Sequence, residues 1–212
     1  MIYEIPPADA PIRQGDIFRA VPRIDSELAK LVVVTADGTV ESSWEAAAND
    51  QPGEPIFAVL GIRPVYAVVI TQDCDAIRAP TIALCEIGPF PDVLHQNNLP
   101  NTPAKWVNLI TQQARFNQKW FYLPQSAELG FNAKMAVDFQ VVMRLRREDI
   151  DAMRQTHRIG RLNDLAEAHF RERLGDFFRR YPYDEWYPFN KEEFEAYKAK
   201  WDEPVQPFPY QQ

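Results

Sequence analysis

The chain has 212 residues, of which 46% are hydrophobic and 25% charged, and a net charge of −7. That is the balance of a globular protein with one domain, or one domain and an extension. The negative charge argues against a general nucleic-acid-binding surface but leaves room for a local basic groove. No apolar run approaches a membrane span, and the first residues carry no basic-then-apolar leader. The two cysteines, Cys74 and Cys85, give no disulfide framework. A cytoplasmic protein with reduced thiols is the expectation.

In chain order, residues 1–12 are broken by proline and read as extended. Gln14-Gly15-Asp16 turns into a strand from Ile17 to Val21. Asp37-Gly38 is a hairpin signal between strands at Ala29–Thr35 and Thr39–Trp44. Glu45 to Pro55 reads as a loop, and Ile56–Leu60 as a short strand. A turn at Gly61–Pro64 leads into the stretch on which the rest is organised, YAVVITQDCD at 66–75. A run of β-formers there stops at Gln72-Asp73-Cys74-Asp75, and such a corner is costly to bury without partners. Strands follow at Thr81–Ile87, Trp120–Leu123 and Met135–Leu145, the last with period-two alternation. Between them, Gly88–Pro103 is an irregular excursion and Ala104–Gln113 a short helix opened by Thr102-Pro103.

From Arg146 to Arg180 the pattern turns helical, with helices predicted at Arg147–Arg154 and Leu162–Arg180. An aromatic and proline stretch, YPYDEWYPF, precedes a last helix at Lys191–Trp201, and residues 204–212 read as an extended tail. Short strands separated by turn signals favour a small barrel over a parallel sheet. The expected plan is α+β: a barrel domain at 1–146 with an inserted loop and short helix, then a helical extension at 147–212 packed on it.

Two resemblances carry this further. The segments QGDIF, VVITQDCD, WFYLP and a late VDF strand resemble a set of bacterial and prophage proteins of uncharacterised function, which implies a setting near phage-defence, toxin–antitoxin or prophage genes. The core also resembles the MazF and PemK endoribonuclease toxins, which share an SH3-like barrel. Gln14-Gly15-Asp16-Ile17 stands where the toxins have R-G-D-[IV]. Arg63-Pro64-Val65 through Gln72-Asp73 stands for R-P-V and the following strand, and Ala79-Pro80-Thr81 for S-P-T. The resemblance implies that Arg63 and Thr81 occupy cleavage-site positions. It departs from the toxins at Gln14, at Ala79, in the longer stretch from Arg63 to Gln72, and in the helical extension.

Metal-free RNA cleavage needs a base, an acid and a cation for the phosphorane charge. Arg63 supplies the cation in that reading, Asp73 or Asp75 the base, and Thr81 a phosphate contact, with Gln72 and Gln14 as substrate-binding candidates. The plainer reading pairs Arg63 with Asp73 or Asp75 to pin the corner, with Asp73 bonding backbone towards Ala79. Cys74, between two carboxylates, is a poor nucleophile and reads as a small core residue. Asp73 and Asp75, as D-x-D at a strand end, can hold a divalent cation through oxygen ligands, whereas Cys74, Cys85 and His95 match no zinc spacing; neither metal nor cofactor is expected. The nine arginines in 146–180, against an acidic first third, suggest an acidic partner or a second copy. Two functions stay open: a non-catalytic or weakly catalytic module that docks a protein partner or dimerises, and a metal-independent endoribonuclease or RNA-binding protein.

Overall fold

The computed structural model describes residues 2–90, 104 and 119–179. The helix expected at 104–113, His95, the aromatic stretch, the helix at 191–201 and the tail fall outside the described residues, except Ala104, which is helical. Met1–Phe177 form one compact unit and Phe178–Gln212 a second.

Ten strands and four helices are described in the first unit: β1 (Tyr3–Glu4), β2 (Asp16–Asp25), β3 (Leu31–Thr35), β4 (Gly38–Ser42), α1 (Trp44–Asp50), β5 (Ala58–Val59), β6 (Gly61–Val69), α2 (Asp73–Ala76), β7 (Thr81–Pro89), β8 (Trp120–Leu123), β9 (Met135–Arg146), α3 (Arg147–His157), β10 (Arg158–Leu162) and α4 (Asp164–Phe178). Seven strands form one antiparallel sheet in the order β1-β10-β2-β6-β7-β9-β8, curled into a half-barrel; β4-β3-β5 form a second, small sheet. The fold is therefore mixed α+β. The curl brings the two edges of the large sheet towards each other, and the Tyr3 hydroxyl donates to the Pro124 carbonyl just past β8 at 2.7 Å.

The continuous apolar run at 65–70 is explained by burial on both faces of the sheet. Val68, Ile17, Cys85 and Val137 face one core, which Phe170 and Leu174 of α4 fill. Ala67, Val69, Phe18 and Leu84 face the other, covered by Ile150 of α3. One extra residue in β2 opposite Val65–Ala67 forms a bulge, with Ala20 in the left-handed region at φ 54°. Beyond the bulge, β2 and β6 continue as a two-stranded ribbon without β10 or β7. Pro22 sits opposite Pro64 there. Prolines suit a ribbon whose outer edges are unpaired, and they block further strand addition.

Four expectations are corrected. Gly61–Pro64 is strand, not turn, because β2 pairs with it through to Asp25. Residues 44–50 form α1 rather than loop; Ser43 caps it by accepting the Ala46 N–H, and Ala47 packs on Leu31 and Val33. The two helices expected after Arg146 are joined by a strand, β10, which lies between β1 and β2. Residues 147–177 therefore belong to the same compact unit as the sheet rather than to a separate extension.

Candidate functional site

The QGD and QDCD motifs, more than fifty residues apart in sequence, meet at the start of β2. Gly15 adopts φ +85°, donates its N–H to the Val69 carbonyl and accepts from Leu162 N–H. A Cβ at that position would lie 3.3 Å from the Leu162 Cβ, so glycine is required both by conformation and by space. On one side of it Gln14 is buried, 1% exposed. Its Nε2 donates to the Ile70 carbonyl at 2.8 Å, and its Oε1 accepts from Arg171 Nε at 2.9 Å. Its backbone N–H donates to Asp73 Oδ1 at 2.8 Å. The other Asp73 oxygen accepts from Arg13 at 3.3 Å.

Arg13 also donates to Glu167 of α4 at 3.3 Å, and Arg171 pairs with both Glu167 and, at 3.8 Å, Asp73. The result is a closed group of two guanidiniums and two carboxylates with Gln14 at its floor. Burial, followed by the charge of Asp73, raises the Glu167 carboxyl above its ordinary pKa; Arg13 and Arg171 oppose that shift. Each cation in the group is matched by an anion.

On the other side of Gly15 lies a deeper triad. Asp16 is 0% exposed and accepts from Arg13 N–H at 3.0 Å, Arg158 Nη1 at 3.2 Å and Arg161 Nε and Nη2. Arginines three apart on a regular strand point to opposite faces. The bulge between Arg158 and Gly160 adds one residue to β10 and turns both guanidiniums towards Asp16. Their remaining protons go to the carbonyls of Pro7, Ala8, Ala10 and Pro11. The triad thereby fastens the proline-broken leader to β10.

The corner itself is held from a residue that the sequence reading passed over. Arg147 donates to the carbonyls of Ala76 and Ala79, the latter at 2.8 Å. Asp73 therefore turns towards Gln14 and Arg13, not towards Ala79. Asp75 is exposed and, among the described residues, pairs only with exposed Arg78 at 3.4 Å. Cys74 is exposed, not a core residue, and Cys85 is the buried one; both thiols are free. Gln72 is exposed and makes no side-chain cap.

Arg63 reaches neither aspartate of the corner. It lies on the ribbon, 2.6 Å from Asp25 and 3.1 Å from Glu86, and Arg23 closes the ring by pairing with the same two acids. The Arg63 hydrogen bond, with help from Arg23, lowers the Asp25 pKa. Thr81 is exposed at the far end of β7, opposite Arg146. Arg63 bonds Glu86, and Thr81 lies five residues from Glu86 along β7, roughly 17 Å of strand.

The structure thus joins Gln14 to Asp73 and leaves Arg63, Thr81 and Asp75 in three other places. Arg13, Arg147, Arg158, Arg161, Glu167 and Arg171 were missed. Arg13, next to the QGD motif, was the one visible signal. Among the described residues no three His, Cys, Asp or Glu side chains converge as metal ligands, and no helix is long and apolar enough to cross a membrane. No family model matches the sequence, and no curated protein matches it.

Proposed function

We propose that this chain is a cytoplasmic protein-interaction module on an SH3-like scaffold of MazF and PemK type, without working endonuclease chemistry, from a phage-defence, toxin–antitoxin or prophage setting. The scaffold assignment rests on the QGDI, R-P-V and A-P-T segments. The functional reading is carried by one observation: the only cation assigned to cleavage, Arg63, is bonded to Asp25 and Glu86. A guanidinium between two carboxylates offers a phosphorane no net positive charge, and Glu86 would repel an approaching phosphate. Thr81, at the other end of the strand pair, cannot act on the same phosphodiester. The corner cluster supplies no substitute, since Arg13 and Arg171 are matched by Asp73 and Glu167.

The test incubates the purified 212-residue chain with cellular RNA in EDTA and follows cyclic-phosphate ends. The expected result is intact RNA, with Arg63→Ala felt only as a small loss of stability, because Arg63 is half exposed and Arg23 still pairs with both acids. RNA cleavage that disappears in Arg63→Ala would establish the toxin-like ribonuclease instead.

A further inference from the structure

Nine of the fourteen large hydrophobic side chains exposed among the described residues lie between Ile24 and Ile62. This span includes the small sheet inserted between β2 and β6. One face of that sheet, with Leu31 and Val33, is covered by α1 through Ala47. Among the described residues no element packs on the other face. Val32 and Val34 alternate with the buried pair, Val32 is level with Val59 and Glu41, and Val34 with Thr39. The Val34 N–H donates to the Phe57 carbonyl at 2.8 Å, which continues the β3–β5 ladder, and alternation from Val59 puts Phe57 on the open face. Phe57 is 70% exposed and Val59 58%. A phenylalanine standing free on a sheet face is costly unless something covers it.

The charge of the inserted segment identifies the covering chemistry: Glu41 stands on the open face and Asp37 at the β3–β4 turn, while Glu45 and Asp50 belong to α1 behind the sheet. Residues 26–60 contain Glu27, Asp37, Glu41, Glu45, Asp50 and Glu54 against Lys30 alone, a net of 1 − 6 = −5. All six acids are exposed, and among the described residues only Glu27 has an ion-pair partner. A second copy would set −5 against −5, and nucleic acid or an anionic membrane would be repelled. Three strands at about 4.8 Å spacing span roughly 10 Å, the width of one helix. Five residues of β3 run about 17 Å, which matches about eleven helical residues.

We infer that the open face of the small sheet docks an amphipathic helix of a protein partner, about three turns long, whose apolar stripe covers Val34, Phe57 and Val59 and whose flanking Lys or Arg side chains meet Glu41 and the surrounding acids. This gives the interaction-module reading its surface and the chemistry of its partner, and it rests on that reading.

The test titrates the full chain into a fluorescein-labelled leucine–lysine peptide of about 14 residues with helical spacing, alongside a leucine–glutamate peptide of the same pattern. The leucine–lysine peptide should bind and the leucine–glutamate peptide should not. Binding should weaken at least about tenfold in Phe57→Ser, which leaves every charge in place. It should also weaken in Glu41→Lys and in about 0.5 M salt. If Phe57→Ser does not fold by circular dichroism, Val59→Ser takes its place. Equal binding by the wild type and the Phe57 variant would overturn the inference, as would equal binding of both peptides. So would Phe57-dependent dimerisation in sedimentation, or Phe57-dependent flotation with phosphatidylserine vesicles. None of these results bears on the RNA assay, so failure of this surface is distinguishable from failure of the module reading.

Discussion

Asp16→Asn is the sharpest perturbation of this fold. The side chains of Asp16, Arg158 and Arg161 are 0%, 2% and 7% exposed, so none can recruit water when a partner is lost. Asparagine keeps the shape and one acceptor but removes the only anion that, among the described residues, faces two buried cations. Breaking a buried ion pair by deleting one partner costs about 3–5 kcal/mol, since the charge left behind is uncompensated. The carbonyls of Pro7, Ala10 and Pro11 still accept from the arginines, which places the expected loss near the lower end, about 3 kcal/mol. Against a typical total of about 5–15 kcal/mol this is large. Urea unfolding followed by tryptophan fluorescence should show the midpoint falling by at least about 1 M, for a slope of about 1–3 kcal/mol/M. Asp16→Asn combined with Arg161→Met should cost less than the two single changes summed, because the double variant strands one fewer charge. A loss under about 1 kcal/mol for Asp16→Asn, or strict additivity in the double variant, would refute the argument that this triad is dry and mutually dependent.

The two aspartates of the corner should separate: Asp73→Ala should cost about 1–3 kcal/mol by leaving the Gln14 N–H without its acceptor and Arg13 with Glu167 alone, whereas exposed Asp75→Ala should stay within about 0.5 kcal/mol, both read from denaturant midpoints. Burial pushes the Cys85 thiol up to about 12, so at pH 8 a thiol reagent should label Cys74 rapidly and Cys85 only on unfolding; two fast thiols in the native protein would contradict the buried strand. Because Arg63 lowers the Asp25 pKa, its contribution is present above the ordinary aspartate range and lost as pH falls through the lowered value. Carboxyl NMR titration should show Asp25 moving up in Arg63→Ala. For Glu167 the sign is opposite: its raised pKa favours the folded state below the ordinary glutamate range, and that contribution is lost as pH rises through the raised value. Its carboxyl should therefore titrate later than an exposed glutamate.

Local chemistry was legible from the sequence. Asp37-Gly38 fixed a hairpin, period-two alternation fixed β9, and the VVI run fixed a strand buried on both faces, because each is a property of a few adjacent residues. The importance of QGD and QDCD was also legible, since a glycine before an aspartate and a strand ending in polar groups both require partners. Which partners they take was not. Gln14 and Asp73 meet only because β2 and β6 are antiparallel neighbours, and Arg158 and Arg161 reach Asp16 only because β10 carries an extra residue opposite Ile17–Phe18. Arg63 was assigned to the corner by its place in a motif, yet β6 begins four residues earlier than expected and carries it out along the ribbon to Asp25 and Glu86. Residues 146–180 read as helical because α3 and α4 flank a five-residue strand too short and too arginine-rich to announce itself. Propensity acts over neighbours in the chain, and the tertiary fold alone decides which charges become neighbours in space.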